Sequence, residues 1–405
     1  MNSSGKLLFQ PHNPYMDEKL RAWLERFESS PLLVFWETTK ACPLACRHCR
    51  AMAIPNRLPG ELTTHEGFKL IEDVASFGVP KPLLILTGGD PLCRPDLLKF
   101  ISKAGELGVP VAVSPAVSPN LTIGVLSELK NHNVKMISIS LDGAAPETHE
   151  YIRQVNGSFK ATVEAIKSSV ELGLRVQVNT VVWSRNLLEL PRIAALLRRL
   201  GVTVWEVFFL IITGRAAAEL DILPEEYEAV LQFLLDVSAR GLQVRTVEAP
   251  FFRRLKIEGR ALLSQDYSHL YKLLSRETEL LLGPPKQHDV DRAFIPTRDG
   301  NGVIFVAYNG DVYPSGFLPV NLGNVRKKSL VEIYRNHPLL LSMRKGMFKG
   351  RCGICRYRLV CGGSRARAFS STGDLLESDP ACVYNPFISE SSGAGEKAVK
   401  GTEIL

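Results

Sequence analysis

The stretch Thr38 to Ala51 reads T-T-K-A-C-P-L-A-C-R-H-C-R-A and sets three cysteines, Cys42, Cys46 and Cys49, in the pattern C-x3-C-x2-C. Three thiols this close in sequence cannot all pair with one another as disulfides. They can hold one iron–sulfur cluster, because a [4Fe–4S] cube takes one thiolate per iron. Three thiolates leave one iron open, and an open coordination position is where metal chemistry happens. Two plainer readings stand beside this one: a zinc knuckle short of a ligand, and three buried structural thiols.

Immediately before the cysteines, L-L-V-F-W-E-T-T (32–39) is a short apolar run. A strand whose C-terminal end opens into a ligand loop is how α/β barrels build sites. The same alternation repeats downstream. Strand-like runs at 82–91, 109–115, 134–143, 174–182 and 202–211 alternate with helical patterns at 64–77, 95–108, 122–131, 158–172 and 187–200. Thr63 or Thr64 is a candidate N-cap for the first of these helices. Strand and helix at this spacing mean a parallel sheet with right-handed crossovers. Six such units predict an α/β fold, a partial (β/α)6 TIM-like barrel.

The flanks read differently. A short amphipathic helix is expected near 17–27, a further helix at 224–240 and a strand-like run at 242–250. Residues 252–295 are helical, charged and then rich in Pro and Gly, which reads as an insertion or linker over the barrel mouth. From 300 on, G-V-I-F-V-A-Y-N-G-D-V-Y reads as a β-hairpin turning at Asn309–Gly310. The expected division is a lead-in (1–30), a barrel (31–250), a linker (251–299), a cysteine-bearing module (300–387) and a small, polar, disordered tail (388–405).

A hydrophobic fraction of 45% and a charged fraction of 22% are those of a globular chain. No apolar run is long enough to span a membrane, and the N-terminus lacks a basic region followed by an apolar one. Eight cysteines in such a chain point to metal and to the reducing cytoplasm. The net charge of +7 permits an anionic substrate or an acidic electron donor. No basic run with interleaved aromatics argues for nucleic acid. Four cysteines gather near the C-terminus, Cys352, Cys355 and Cys361 as C-x2-C-x5-C, then Cys382. Four thiolates saturate one [4Fe–4S] cube; a four-thiolate zinc site is the alternative. Cys93 has no partner nearby and reads as a small buried residue.

The Thr38–Ala51 run closely resembles the cluster-binding motif of the radical S-adenosylmethionine (SAM) enzymes. The resemblance implies a [4Fe–4S] cluster on Cys42, Cys46 and Cys49 whose open iron is chelated by SAM. Electron transfer from that cluster would cleave SAM to methionine and a 5′-deoxyadenosyl radical. His48 stands where the family usually has an aromatic residue and would face the adenine. Gly88-Gly89-Asp90-Pro91 resembles the family's G-G-E-P element, which binds the SAM amino group, with Asp90 in place of Glu; a plain tight turn is the alternative. Ser140 and Asp142 end the fourth strand, where the family commonly meets the SAM ribose, although strand-end Ser and Asp often only cap turns. Arg153, in H-E-Y-I-R-Q-V-N-G-S-F, resembles an H-x3-R-G-x-G-S-F element whose Arg meets the SAM carboxylate; a surface Arg is the plain reading. Asn179 on the fifth strand is a further polar candidate.

The C-terminal cysteines resemble the SPASM module of the same enzymes, which in full form carries two auxiliary clusters. Cys352, Cys355, Cys361 and Cys382 match the ligands of one. The other would need a Cys before a Gly, the Cys of a G-x4-C element and a Cys three residues beyond the C-x2-C-x5-C run. No Cys lies between Cys93 and Cys352, Ser315 follows Gly310 at the right distance, and Arg365 stands at the last position. The expectation is one auxiliary [4Fe–4S] cluster.

Over roughly residues 30–385 the chain resembles the branch containing the alternative-pathway haem synthase and the enzymes of d-type haem formation. That branch implies oxidative decarboxylation of tetrapyrrole propionates. Arg215, Arg245, Arg253 and Arg254 are candidate carboxylate partners, and Trp205, Phe208, Phe209, Phe251 and Phe252 candidate aromatic surface. A maturase of a ribosomally made peptide is the alternative, disfavoured because residues 1–30 are too short for a peptide-recognition domain. A non-catalytic iron–sulfur carrier is disfavoured by the open iron. A low-potential electron donor of the flavodoxin or ferredoxin type is the expected partner, with no nucleic acid or membrane.

Overall fold

The structure is a computed structural model and describes residues 17–259, 268–285 and 294–387. The tail at 388–405 and the first residues of the lead-in therefore lie outside the described residues. All ten described strands belong to one sheet. β1 (Leu33–Glu37), β2 (Leu83–Thr87), β3 (Val111–Val113), β4 (Met136–Ser140), β5 (Val176–Val182) and β6 (Val204–Phe209) pair in chain order, all parallel. These are the six units expected from the alternation.

The strands are near-continuous apolar runs because both faces are covered. In β1, Val34 and Trp36 are fully buried under the helical layer, and Trp36 packs on Phe100 at a ring separation of 4.7 Å. The helix over this pair, Thr64–Ala75, starts at a capping box. Glu66 N donates to Thr63 Oγ1 at 3.2 Å, and Thr63 N donates to Glu66 Oε2 at 2.8 Å. This satisfies two N–H groups that the first helical turn leaves over, and it fixes Thr63 as the cap.

The sheet extends past the six units on both sides. β7 (Gln243–Val247) pairs parallel with β6. β8 (Val303–Val306) returns to the other edge and pairs parallel with β1, setting Phe305 beside Phe35. β9 (Asp311–Tyr313) and β10 (Gly323–Asn324) complete the sheet as antiparallel strands. The expected hairpin is thus present, turning at Gly310 in the left-handed region (φ 85°), and its first strand continues the barrel sheet.

One expectation needs correction, and one element was not expected. Helix His269–Leu282 does not lie over the barrel mouth. It packs on the outer helices Pro224–Ser238 and Leu190–Arg199, with Tyr271 donating to Asp236 Oδ2 at 2.7 Å. Its apolar stripe of Tyr271, Leu274 and Thr278 needed a helical surface to cover it. The unexpected helix runs from Pro146 to Arg153. It has Pro at its first position and closes on Gln154 at φ 60°, and it delivers Arg153 to the sheet's C-terminal end. Among the described residues no helix is long and apolar enough to cross a membrane.

Candidate active site

Inward-facing residues of the strands line a cavity of about 860 Å³. One wall is apolar: Leu33 and Phe35 on β1, Leu83 and Ile85 on β2, Met136 on β4, Val303 and Phe305 on β8. The opposite wall is polar. Ser140, Asn179, Glu206 and Arg245 sit in one register row across β4 to β7. Gln177 ties this wall together, donating to Glu206 Oε2 at 2.8 Å and Asn179 Oδ1 at 2.9 Å. Burial pushes the Glu206 carboxyl above its ordinary range, against Arg245 and Gln177.

The cysteine loop crosses the C-terminal mouth of this cavity, and Cys42, Cys46, His48 and Cys49 all line it. Cys42, Leu44, Cys46 and Ala53 form a small buried cluster with Cys49 against it. The loop is held by its neighbours rather than by internal structure. Cys42 N donates to Ile54 O at 2.8 Å, and Arg215 reaches Cys46 O at 2.9 Å and Ala53 O at 2.8 Å. Gly214 must be glycine here: its φ is 62°, and a Cβ would stand 2.4 Å from Cys49 O. Burial pushes the Cys42 thiol up to about 12, and a bound cation would draw off its proton.

Gly88 and Gly89 run against the same loop. A Cβ on Gly89 would stand 2.4 Å from Ala41 O, and Gly89 N and Asp90 N donate to Thr39 O and Ala41 O, both at 2.7 Å. Asp90 itself does not line the cavity. Its buried carboxylate accepts from Ser118 Oγ at 2.8 Å, Leu92 N at 3.1 Å and Ala116 N at 3.3 Å. It is spent on tying the glycine turn to the loop after β3.

Asp142 is wholly buried and accepts from Val181 N at 2.8 Å. Arg153 Nη2 lies 2.6 Å from its Oδ2, and His48 Nε2 lies 3.7 Å from the same oxygen. Burial raises the Asp142 carboxyl, but Arg153 and the two histidines His48 and His149 outweigh it and hold it below the usual range. Burial pulls His48 down to about 4, so the ring is neutral. Arg153, expected to meet the SAM carboxylate, is thus partly engaged by Asp142. His48 Nδ1, Arg153 Nε and Arg215 Nη2 are buried with no protein partner. Orphaned donors and a glycine cradle beside three thiols fit a polar ligand seated on a cluster. Among the described residues no three His, Cys, Asp or Glu side chains converge as closely as a single metal ion requires; a cube spreads its thiolates over separate irons.

The second group of cysteines is brought together by helix Gly350–Ile354, the turn after it and the Asp379–Cys382 turn. All eight cysteines are free thiols. Gly363 N donates to Cys361 Sγ at 3.4 Å and Arg365 Nη2 to Cys352 Sγ at 3.5 Å. Burial pushes Cys361 up to about 12. The positions lacking a thiol also meet. Asp299 Oδ2 accepts from Arg365 N at 3.1 Å, and the Ser315 hydroxyl stands on the same carboxyl. Cys93 is half-buried beside Asn120 and belongs to neither group.

The substrate-side candidates divide. Arg215, Arg245, Arg253, Phe208, Phe209 and Phe252 line the cavity; Arg254, Trp205 and Phe251 do not. Arg253 spends its guanidinium on Val360 O at 2.8 Å and on Thr297 O. Arg254 is paired with Glu228 and Glu258. Trp205 faces outward and donates to Thr180 Oγ1 at 2.9 Å. Missed from the sequence were Arg50, Gln177, Glu206, Glu248 and Asp299, all of which line the cavity. The signal for Gln177 and Glu206 was polar residues at period two inside apolar strands.

Known proteins resemble the chain in sequence and fold. Residues 36–208 match the model of the Radical SAM superfamily, and residues 298–361 match that of SPASM, an iron–sulfur cluster-binding domain. The chain is 34% identical over 359 residues to the AdoMet-dependent heme synthase of Methanosarcina barkeri, covering 88% of this chain and 98% of the relative. It is 34% identical over 362 residues to the enzyme of that name from Oleidesulfovibrio alaskensis, covering 87% of each. The crystal structure of Streptococcus suis SuiB bound to S-adenosylmethionine shares the fold, with a TM-score of 0.66, 15% identity and coverage of 90% and 81%. The chain therefore belongs to the radical SAM superfamily, in the branch of the AdoMet-dependent haem synthases, as an enzyme that uses a [4Fe–4S] cluster and S-adenosylmethionine for radical chemistry and carries an additional iron–sulfur cluster in its C-terminal domain.

Proposed function

We propose that this enzyme removes a hydrogen atom from a propionate side chain of a carboxylated tetrapyrrole, such as iron-coproporphyrin III, and that the side chain then loses CO2 and one electron, taken up by an iron–sulfur cluster, to become a vinyl group. The observation that carries this is the two-sided cavity: an apolar wall with Phe35 and Phe305, facing a polar wall that ends in Arg245. A flat apolar macrocycle bearing carboxylates matches both walls. The names of the relatives at 34% identity support the same substrate class.

In this reading Cys42, Cys46 and Cys49 hold the catalytic cluster, and Cys352, Cys355, Cys361 and Cys382 hold one auxiliary cluster. The catalytic cluster and SAM together supply the hydrogen-abstracting radical. The chain's residues do the rest. The backbone of Gly88 and Gly89 lets SAM approach the cysteine loop. Neutral His48 would lie against the adenine, Ser140, Asp142 and Asn179 would flank the ribose, and the free N–H groups of Arg153 and Arg215 would meet carboxylate. Arg50, stacked 4.6 Å over Phe305 and 5.9 Å from Phe317, closes the cavity toward the C-terminal domain and helps exclude water. An acidic, low-potential flavodoxin- or ferredoxin-type protein supplies electrons.

Titration of iron-coproporphyrin III into the anaerobic holoenzyme tests the substrate. A shift in its absorbance on binding, with affinity in the ~1 μM–1 mM range usual for enzyme substrates, is expected. No shift, together with SAM-dependent crosslinking of a small peptide, would favour a maturase. Iron analysis tests the clusters: about eight irons per chain are expected from two cubes, and about twelve would mean a third.

A further inference from the structure

Arg365 stands where the resemblance puts a cluster thiolate, yet it does not line the cavity that Asp299 and Ser315 line. The guanidinium is fully buried. Its Nη2 donates to Cys352 Sγ at 3.5 Å, its Nη1 to Leu375 O at 3.1 Å and Glu377 O at 2.5 Å, and its Nε to Gly363 O at 3.3 Å. It lies over the Phe348 ring at 4.6 Å. None of its side-chain hydrogen bonds goes to a carboxylate among the described residues. Asp299 accepts a hydrogen bond from its backbone N–H and not from its guanidinium, and Asp379 is paired with Arg367 at 3.3 Å. Gly363 makes the close approach possible, since a Cβ there would stand 2.5 Å from Arg365 Nη2 and 3.1 Å from Cys352 Sγ.

The buried guanidinium thus spends its donors on neutral carbonyls and one sulfur, while the Asp299 carboxyl feels its charge without accepting from it. That sulfur belongs to a cysteine that, in the reading above, ligates the auxiliary cluster. We propose that Arg365 is a potential-setting residue: its charge and its N–H···S bond raise the reduction potential of the C-terminal cluster. A cube on four thiolates is anionic and gains a further negative charge on reduction, so a fixed cation in a low-dielectric site favours the reduced form. Hydrogen bonds to cluster sulfurs act in the same direction. One substitution thus removes a ligand from one cluster site and tunes the cluster that remains. The inference rests on the assignment of Cys352, Cys355, Cys361 and Cys382 to a single auxiliary cluster.

The test uses full-length enzyme carrying Cys42→Ala, Cys46→Ala and Cys49→Ala, so that only the C-terminal cluster is present. Potentiometric titration followed by electron paramagnetic resonance gives its midpoint. Adding Arg365→Gln is expected to shift the one-electron equilibrium toward the oxidised form by at least tenfold, a fall of about 59 mV, with iron content unchanged. Adding Arg365→Lys should restore most of that shift. An unchanged midpoint in an iron-replete Arg365→Gln protein overturns the inference while leaving the cluster assignment intact. A parent triple variant that binds no iron overturns both. Should Arg365→Gln fail to fold, the holoenzyme grown on guanidino-15N arginine decides: a 15N coupling on the reduced C-terminal cluster, lost in Arg365→Lys, supports the contact, and its absence in the wild type overturns it.

Discussion

Arg153 Nη2 lies 2.6 Å from Asp142 Oδ2, and Nη1 of the same guanidinium lies 3.8 Å from Cys46 Sγ. One buried ion pair therefore spans from the end of the fourth strand to the cysteine loop. Removing one partner of such a pair leaves an uncompensated buried charge, which costs about 3–5 kcal/mol. Asp142→Ala should lower urea-unfolding stability by about that amount. It should also weaken SAM binding at least tenfold in equilibrium dialysis while iron is retained. Unchanged stability would mean that Arg153 finds another partner or water.

Asp90 offers a contrast, because its hydrogen bonds are all internal, to Ser118, Leu92, Ala116 and Asn120. Asp90→Ala should destabilise the protein without SAM by about 1–3 kcal/mol, the cost of orphaning the donors it satisfies. A side chain that acts only as a SAM ligand would leave the SAM-free protein as stable as wild type. Urea unfolding without SAM separates the two.

Glu248 gives a pH signature. It sits at φ 59° after β7 and accepts from Ser364 Oγ. Burial pushes its carboxyl up to about 8, with Asp299 and Asp379 adding and Ser364 and Arg367 opposing. An acid with a raised folded pKa binds its proton more tightly in the folded state. Its contribution is complete below the unfolded value, ~4.3, and is lost as pH rises to about 8. Wild-type melting temperature should fall across that window more steeply than that of Glu248→Gln. Parallel profiles would show that Glu248 ionises normally.

Arg245 and Arg254 should behave oppositely. Arg245→Ala is expected to weaken tetrapyrrole binding about tenfold, roughly 1.4 kcal/mol, with SAM affinity unchanged. Arg254→Ala should leave binding alone but lower stability, since it strands Glu228 and leaves Glu258 with Arg356 and Tyr357 alone. Spectroscopic titration and urea unfolding of both variants check this.

The cysteine ligands and the six-unit alternation were legible because both are local: spacing within a loop, and period within a strand or helix. The return of β8 to β1 was not, since the paired residues Phe35 and Phe305 stand 270 positions apart in the chain; nothing near Val303 names its partner strand. The helix Pro146–Arg153 was hidden because it buries only His149 and Ile152, too few to print a period. Asp90 and Arg153 were found as residues but given partners by resemblance, and the fold adds competing partners that only three dimensions bring near. Asp299, Ser315 and Arg365 likewise meet only once the C-terminal segment has closed on the barrel.

The most direct test of the proposed function is turnover. Anaerobic holoenzyme, SAM, a low-potential reductant and iron-coproporphyrin III should yield a tetrapyrrole in which a propionate has become a vinyl group, with CO2 and one 5′-deoxyadenosine released per propionate converted. Cys42→Ala should abolish both products. Steady release of 5′-deoxyadenosine over a tetrapyrrole whose mass never changes would contradict the assignment of substrate.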